Sequence, residues 1–192
     1  MNRAVVFIDN GYLSKILKKY FKEPNIDYSV FSDNICGECE RLRTYVYDCM
    51  PYQSNPPTPD ERTRYSKKNR FLNSLEKSPR VEVKLGKLQK IWVDGKYKFK
   101  QKMVDVLLSV DLVKLSWSKQ IQDAIIVAGD RDYVPALKAS KDAGVLTKIY
   151  YKQPVHDEIL SICDECIEID QDLINKSLRK KNETAELITD AL

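Results

Sequence analysis

Ala124-Ile125-Ile126-Val127-Ala128-Gly129-Asp130-Arg131-Asp132 is an apolar run that breaks at a glycine into two aspartates. A continuous apolar run with no alternation describes a strand buried on both faces, as in the interior of a parallel sheet. In an open parallel sheet, ligands bind beyond the carboxyl ends of the strands. Two aspartates one residue apart at such an end raise each other's pKa unless a cation holds them. The stretch therefore predicts an α/β fold and a cation-binding role together.

Working outward, Val5-Val6-Phe7-Ile8-Asp9 repeats the pattern of a buried strand closed by an aspartate. Leu13, Ile16, Leu17, Tyr20 and Phe21 follow at helical spacing, and Gly11 lets the backbone come close to whatever Asp9 holds. Residues 33–42 are expected as a second helix and 43–47 as a strand. Pro51, Pro56, Pro57 and Pro59 mark residues 48–60 as a loop, and residues 62–75 as a basic helix. Residues 81–85 and 88–93 are strand-like, and Asp94-Gly95 predicts a hairpin turn into a return strand over 96–100. Residues 104–115 form an apolar-faced helix with Asp105 at its start. Asp132 is the expected N-cap of a helix over 133–143, with Pro135 in its first turn and Gly144 at its stop. A strand over 146–151, a short helix over 156–163 and a last strand over 166–169 complete the pattern. The alternation implies right-handed crossovers and a three-layer α/β/α fold: a mainly parallel, doubly wound sheet with an inserted β-hairpin. One domain is expected over 1–170, with a charged helical tail over 171–192.

Composition narrows the class. The chain has 192 residues, 43% of them apolar, enough for a soluble domain with a substantial core. No apolar run reaches the length of a membrane span, and Met1 to Asp9 reads as a strand rather than a signal peptide. A cytoplasmic protein with no membrane partner is expected. The net charge of +4 is mild, but Lys84, Lys87, Lys90, Lys96, Lys98, Lys100 and Lys102 are clustered among Trp92, Tyr97 and Phe99. A basic stripe beside an acidic pocket suits a polyanion. Lys98, Lys100, Lys102, Arg131, Trp92 and Tyr97 are therefore candidate nucleic-acid contacts, although lysines alternating with aromatics also describe an ordinary half-buried strand. Five cysteines without an export signal read as reduced thiols; Cys36-x-x-Cys39 and Cys163-x-x-Cys166 have zinc-ligand spacing but lie far apart in sequence.

Asp9, Asp105, Asp130 and Asp132 are the candidate catalytic and metal-binding residues, and carboxylate oxygens shared with phosphate suit Mg²⁺ or Mn²⁺. Each aspartate taken singly also reads as a cap or turn residue. Asp111 follows Asp105 by six residues and points about 120° around the helix from it. It is either a supporting neighbour of the metal site or a salt-bridge partner, and Asn10 is a second supporting candidate. His156 is the sole histidine, which excludes a two-histidine mechanism.

The sequence resembles a family at these residues. Phe7-Ile8-Asp9 before a helix, Lys102-x-x-Asp105-Val106 with Asp111 beyond, and Val127-Ala128-Gly129-Asp130-Arg131-Asp132-Tyr133 with Gly144 after it resemble the three signatures of the NYN domain, in the PIN-like nuclease superfamily. Arg43 to Asp48 resembles that family's second strand, and the likeness runs to about Ile169. It implies a PIN-like, Rossmannoid sheet, Mg²⁺ or Mn²⁺ held by Asp9, Asp105, Asp130 and Asp132, and hydrolysis of single-stranded or structured RNA. The chain departs from the pattern at Tyr12, where many members have Asn, at Ala128 for Ser, and at Arg131 for a small residue. Arg131 would contact phosphate or neutralise the acidic site. Three readings compete: a metal-dependent ribonuclease; a catalytically weak NYN-like module that binds RNA or protein; and, last, a phosphatase or receiver-like protein using Asp9 as nucleophile. An exposed apolar face would support a homodimer.

Overall fold

The computed structural model describes residues 1–93 and 96–180, with backbone only at 89–91, 93 and 96–102. Strand β1, Arg3–Asp9, is buried from Ala4 to Ile8 because helices cover both of its faces. Ala4, Val6 and Ile8 face one helical layer, and Val5 and Phe7 face the other. Strand β5, Asp123–Val127, is buried throughout in the same way. The unbroken apolar runs are thus explained by a sheet sandwiched between two layers.

The sheet has the order β4-β3-β2-β1-β5-β6-β7. Its remaining strands are β2 (Glu40–Cys49), β3 (Val81–Val93), β4 (Lys96–Lys102), β6 (Leu146–Tyr151) and β7 (Glu165–Glu168). All neighbours pair in parallel except β3 and β4, which form the antiparallel hairpin at one edge. The predicted turn residues Asp94 and Gly95 lie outside the described residues. The chain winds from β1 outward through β2 and β3, then returns to β5 on the other side of β1. The strand order therefore switches between β1 and β5, where a doubly wound sheet opens its ligand crevice.

One helical layer holds α1 (Asn10–Tyr20), α2 (Tyr28–Cys36) and the buried Leu75 of α3 (Pro59–Glu76). Helix α1 buries Leu13, Ile16 and Leu17, each contributing about 2 kcal/mol of apolar burial. The opposite layer holds α4 (Val104–Trp117), α5 (Val134–Asp142) and α6 (Asp157–Ile162). Helix α4 is apolar nearly all round, and Val106, Val110 and Trp117 are exposed on it. Helix α7 (Gln171–Lys176) buries Ile174 in the first layer, and Leu178 bridges to Ile26. Among the described residues no helix is long and apolar enough to cross a membrane.

Several boundaries differ from the sequence expectation. The second helix begins at Tyr28, not residue 33, because Asp27 caps it through Ser29 N and Val30 N. It ends at Gly37, whose φ of 56° suits a residue without a Cβ, and residues 40–42 join β2. Strand β2 extends through Asp48 and Cys49, so the proline-rich loop starts later. Helix α3 starts at Pro59 through a capping box between Thr58 and Glu61. The two expected strands around Gly86 are one strand, β3. Asp132 does not cap the helix after β5; a 3₁₀ turn over Arg131–Tyr133 precedes α5, and Asp130 caps that turn.

Candidate active site

Asp9 stands at the end of β1 and caps α1, with Oδ1 accepting from Tyr12 N at 3.0 Å. Asp105 lies in the first turn of α4. Met103, just before it, takes φ 76°, a left-handed conformation costing a residue with a side chain about 1 kcal/mol. Such strain at a turn that carries a polar side chain into a cleft accompanies many functional sites. Asp130 follows β5 and is exposed.

The three carboxylates line one cleft of about 370 Å³ beyond β1 and β5. Tyr133, fully buried, reaches two of them: its Oη lies 2.8 Å from Asp105 Oδ1 and 3.1 Å from Asp9 Oδ2. A phenol carries one proton, so it donates to one carboxylate at a time. The pair is therefore one donor short. Burial, and then the neighbouring Asp105 charge, push the Asp9 carboxyl above the ordinary aspartate range, against the opposing hydrogen bonds from Tyr12 N and Tyr133. Burial and the two carboxylates push the Tyr133 phenol up as well, so it stays a donor. No described basic side chain forms an ion pair with Asp9 or Asp105.

Helix α1 supplies the cationic wall of this cleft through Lys15 and Lys19, one turn apart. His156 also lines it, and its backbone N donates to Gly129 O at 3.1 Å. From sequence His156 reads as a surface loop residue; it belongs to the rim. Tyr12 clamps the same rim. Its ring packs over Gly129, where an added Cβ would come within 2.3 Å of Cε2. Its hydroxyl accepts from Lys152 N at 2.9 Å and donates to Lys152 O. Burial lifts that phenol to about 12.

The remaining sequence candidates fall elsewhere. Asp132 and Arg131 line a separate hollow with Lys138 and Glu158, and neither lines the acidic cleft. Asp111 accepts from Tyr47 Oη at 2.8 Å and from Lys84 Nζ at 2.7 Å, so of its two readings the salt bridge is the one present. Asn10, the first residue of α1, is buried, donating to Asp48 Oδ2 and accepting from Tyr28 Oη. Asp48 also accepts from Cys49 N at 2.7 Å and pairs with Lys68. Trp92 is exposed on the hairpin. The side chains of Tyr97, Lys98, Lys100 and Lys102 lie outside the described residues. All five cysteines are free thiols, and burial raises Cys36 and Cys163 to about 12, far from reactive thiolates.

Sequence reasoning missed Tyr133, Tyr12, Lys15 and Lys19. The signal for Tyr133 was the aromatic residue directly after Asp-x-Asp. That for the lysines was their i, i+4 spacing from Gly11 on the polar side of α1.

The model of the NYN domain family matches residues 3–170. No curated protein matches the chain. Among solved structures, a Vibrio parahaemolyticus protein of unknown function is similar, with 18% identity, a TM-score of 0.62, and coverage of 89% of this chain and 94% of that one. At that identity the likeness speaks for the fold alone.

Proposed function

Because this chain belongs to the NYN domain family, which has a PIN-like nuclease-type fold, we propose that its acidic cleft hydrolyses RNA phosphodiester bonds with Mg²⁺ or Mn²⁺. The observation that carries this reading is the pair Asp9 and Asp105, held together by one phenolic proton in an open cleft at the switch point of the sheet. A carboxylate pair short of positive charge fits a hard cation by the chemistry of its oxygen donors. Asp9 and Asp105 would hold it, with Asp130 lining the same cleft. When bound, the ion lowers the pKa of a water and draws charge from the phosphate oxygens.

The chain's own residues do the rest. Tyr133 fixes the rotamers of both inner carboxylates by bridging Asp9 Oδ2 and Asp105 Oδ1. Asp130 uses Oδ1 to accept from Asp132 N at 3.1 Å, which leaves Oδ2 to orient water. Lys15 and Lys19 attract the RNA phosphate to the wall opposite the acids. Tyr12 and the backbone of His156 hold the Gly129 turn that carries Asp130. Asp132 lines another hollow and is left out of this set.

One observation favours the second reading, a weakly catalytic RNA- or protein-binding module. Among the described residues no group of three or more His, Cys, Asp or Glu side chains is gathered closely enough to hold a metal ion. Cleavage of labelled RNA separates the two. A nuclease cuts only with Mg²⁺ or Mn²⁺, and Asp9→Asn and Asp105→Asn each reduce the rate at least about a hundredfold. RNA binding without metal-dependent cutting would leave the module reading in its place.

A further inference from the structure

Helix α3 is long, polar and strongly basic, and Leu72 and Leu75 are its buried residues. Arg64, Lys67, Lys68 and Phe71 fall at i, i+3, i+4 and i+7, so they share one face. That face closes a second hollow, of about 610 Å³, against the end of β2 and the middle of β3. Gly11 lines this hollow and the acidic cleft alike, so the two are adjacent across the first turn of α1. The size is typical of small-ligand pockets.

The lining divides in two. Pro51, Phe71 and Leu88 give an apolar side, each partly open to solvent. Arg64 and Lys67 give a cationic side; both are exposed, and neither forms an ion pair with a described residue. Lys68 is already committed to Asp48, the hollow's acidic residue, whose carboxylate is buried and saturated by Asn10, Cys49 N and Lys68. The hollow thus presents an apolar surface beside two unspent cations, next to a site that handles phosphodiesters.

We propose that this hollow is a nucleotide subsite for single-stranded RNA. It takes the base adjoining the scissile phosphate against Pro51, Phe71 and Leu88, while Arg64 and Lys67 hold the next phosphate along the strand. This rests on the proposed ribonuclease reading and adds the substrate class. A base can enter the hollow only when it is unstacked from its neighbours, which a duplex resists and a single strand allows. Gly11, lacking a side chain, leaves room for the strand to pass from one compartment to the other.

The test uses the full chain carrying Asp9→Asn, which binds without cutting. Anisotropy is measured with a labelled oligoribonucleotide, single-stranded or annealed to its complement. Adding Arg64→Ala and Lys67→Ala should raise the single-strand Kd at least about tenfold and flatten the log Kd against log salt slope by about 0.7, the value for one phosphate. Adding Leu88→Ala should raise Kd about threefold and leave the salt slope unchanged, because stacking carries no counterions. The duplex should bind more weakly than the single strand. Lys114→Ala, on the exposed side of α4, serves as the control, and melting curves establish that each variant folds. Unchanged single-strand affinity in the Arg64/Lys67 variant, equal or tighter duplex binding, or no binding of single-stranded RNA would each overturn the subsite. With Asp9 restored, RNA cutting whose KM ignores Arg64 and Lys67 would overturn the subsite and leave the nuclease reading standing. Strand binding that depends on both, with no metal-dependent cutting, would do the reverse.

Discussion

Asp9 and Asp48 stand at the ends of neighbouring strands, with Asp9 paired in register to the residue just before Asp48. Their surroundings are opposite. Asp48 is buried with a complete set of donors: the Asn10 amide, the Cys49 backbone and the Lys68 ammonium. Asp9 shares one phenolic proton with Asp105 and has no described cationic partner. The same residue type, at nearly the same place in the fold, is a structural brace in one compartment and, among the described residues, a carboxylate with no ion-pair partner in the other. The difference teaches that strand-end position alone does not mark a functional acid. What sets Asp9 apart is a carboxylate that shares its phenolic donor and lines an open cleft.

The sharpest way to break this contrast is to remove each acid in turn. Asp48→Ala strands a lysine and leaves the Asn10 amide without its acceptor, so urea unfolding should show a loss of about 3 kcal/mol. Asp9→Asn should show no loss at neutral pH and a small gain, since it deletes a strained charge. Comparable losses in both variants would erase the distinction. A smaller effect is expected from Gly129→Ala, which drives a Cβ into the Tyr12 ring and should cost about 2 kcal/mol. The cost should shrink when Tyr12→Ala is combined with it, and strict additivity would show that the ring is not the obstacle.

A pH titration sharpens the comparison further. The Asp9 carboxyl is raised in the folded state from its usual 3.8. The folded protein therefore holds more protons than the unfolded chain between 3.8 and the raised value, and this acid's contribution to stability declines as pH climbs through that window. Without divalent ions, Asp9→Asn should match the parent below the window and exceed it above. A stability difference that stays constant with pH would contradict the burial argument. The smallest effect belongs to Asp132→Asn, which should change RNA cleavage by no more than about threefold, because that side chain lines a different hollow. A loss as large as that of Asp9→Asn would return Asp132 to the cleft.

The fold was readable wherever burial wrote itself into composition. Val5 to Ile8 and Ala124 to Ala128 are unbroken apolar runs, and they are the two strands on either side of the switch point. Boundaries set by polar detail were harder. Asp27 starts α2 through two backbone contacts that no apolar pattern reveals, and residues 40–42 look helical until the neighbouring strand is present to pair with them. At the site, Asp9, Asp105 and Asp130 could be picked out because carboxylates are conspicuous at strand and helix ends. Tyr133 could not be assigned its role, since a buried tyrosine reads as core until its hydroxyl is seen between two acids. Asp130 and Asp132 look equivalent in sequence, and only the 3₁₀ turn between them separates their directions.

The order of the sheet also carries a consequence for biosynthesis. Strand β1 is translated before the other six strands yet lies inside the sheet, between β2 and β5. Its far edge has no partner until residues 123–127 leave the ribosome, so β2, β3 and β4 must all emerge before the central ladder can close. Until then an apolar strand with unsatisfied amides is available to any passing chain. Asp9 at the end of β1 and Asp130 just past β5 come together only at that same moment, so the cleft they line is among the last features of the sheet to form.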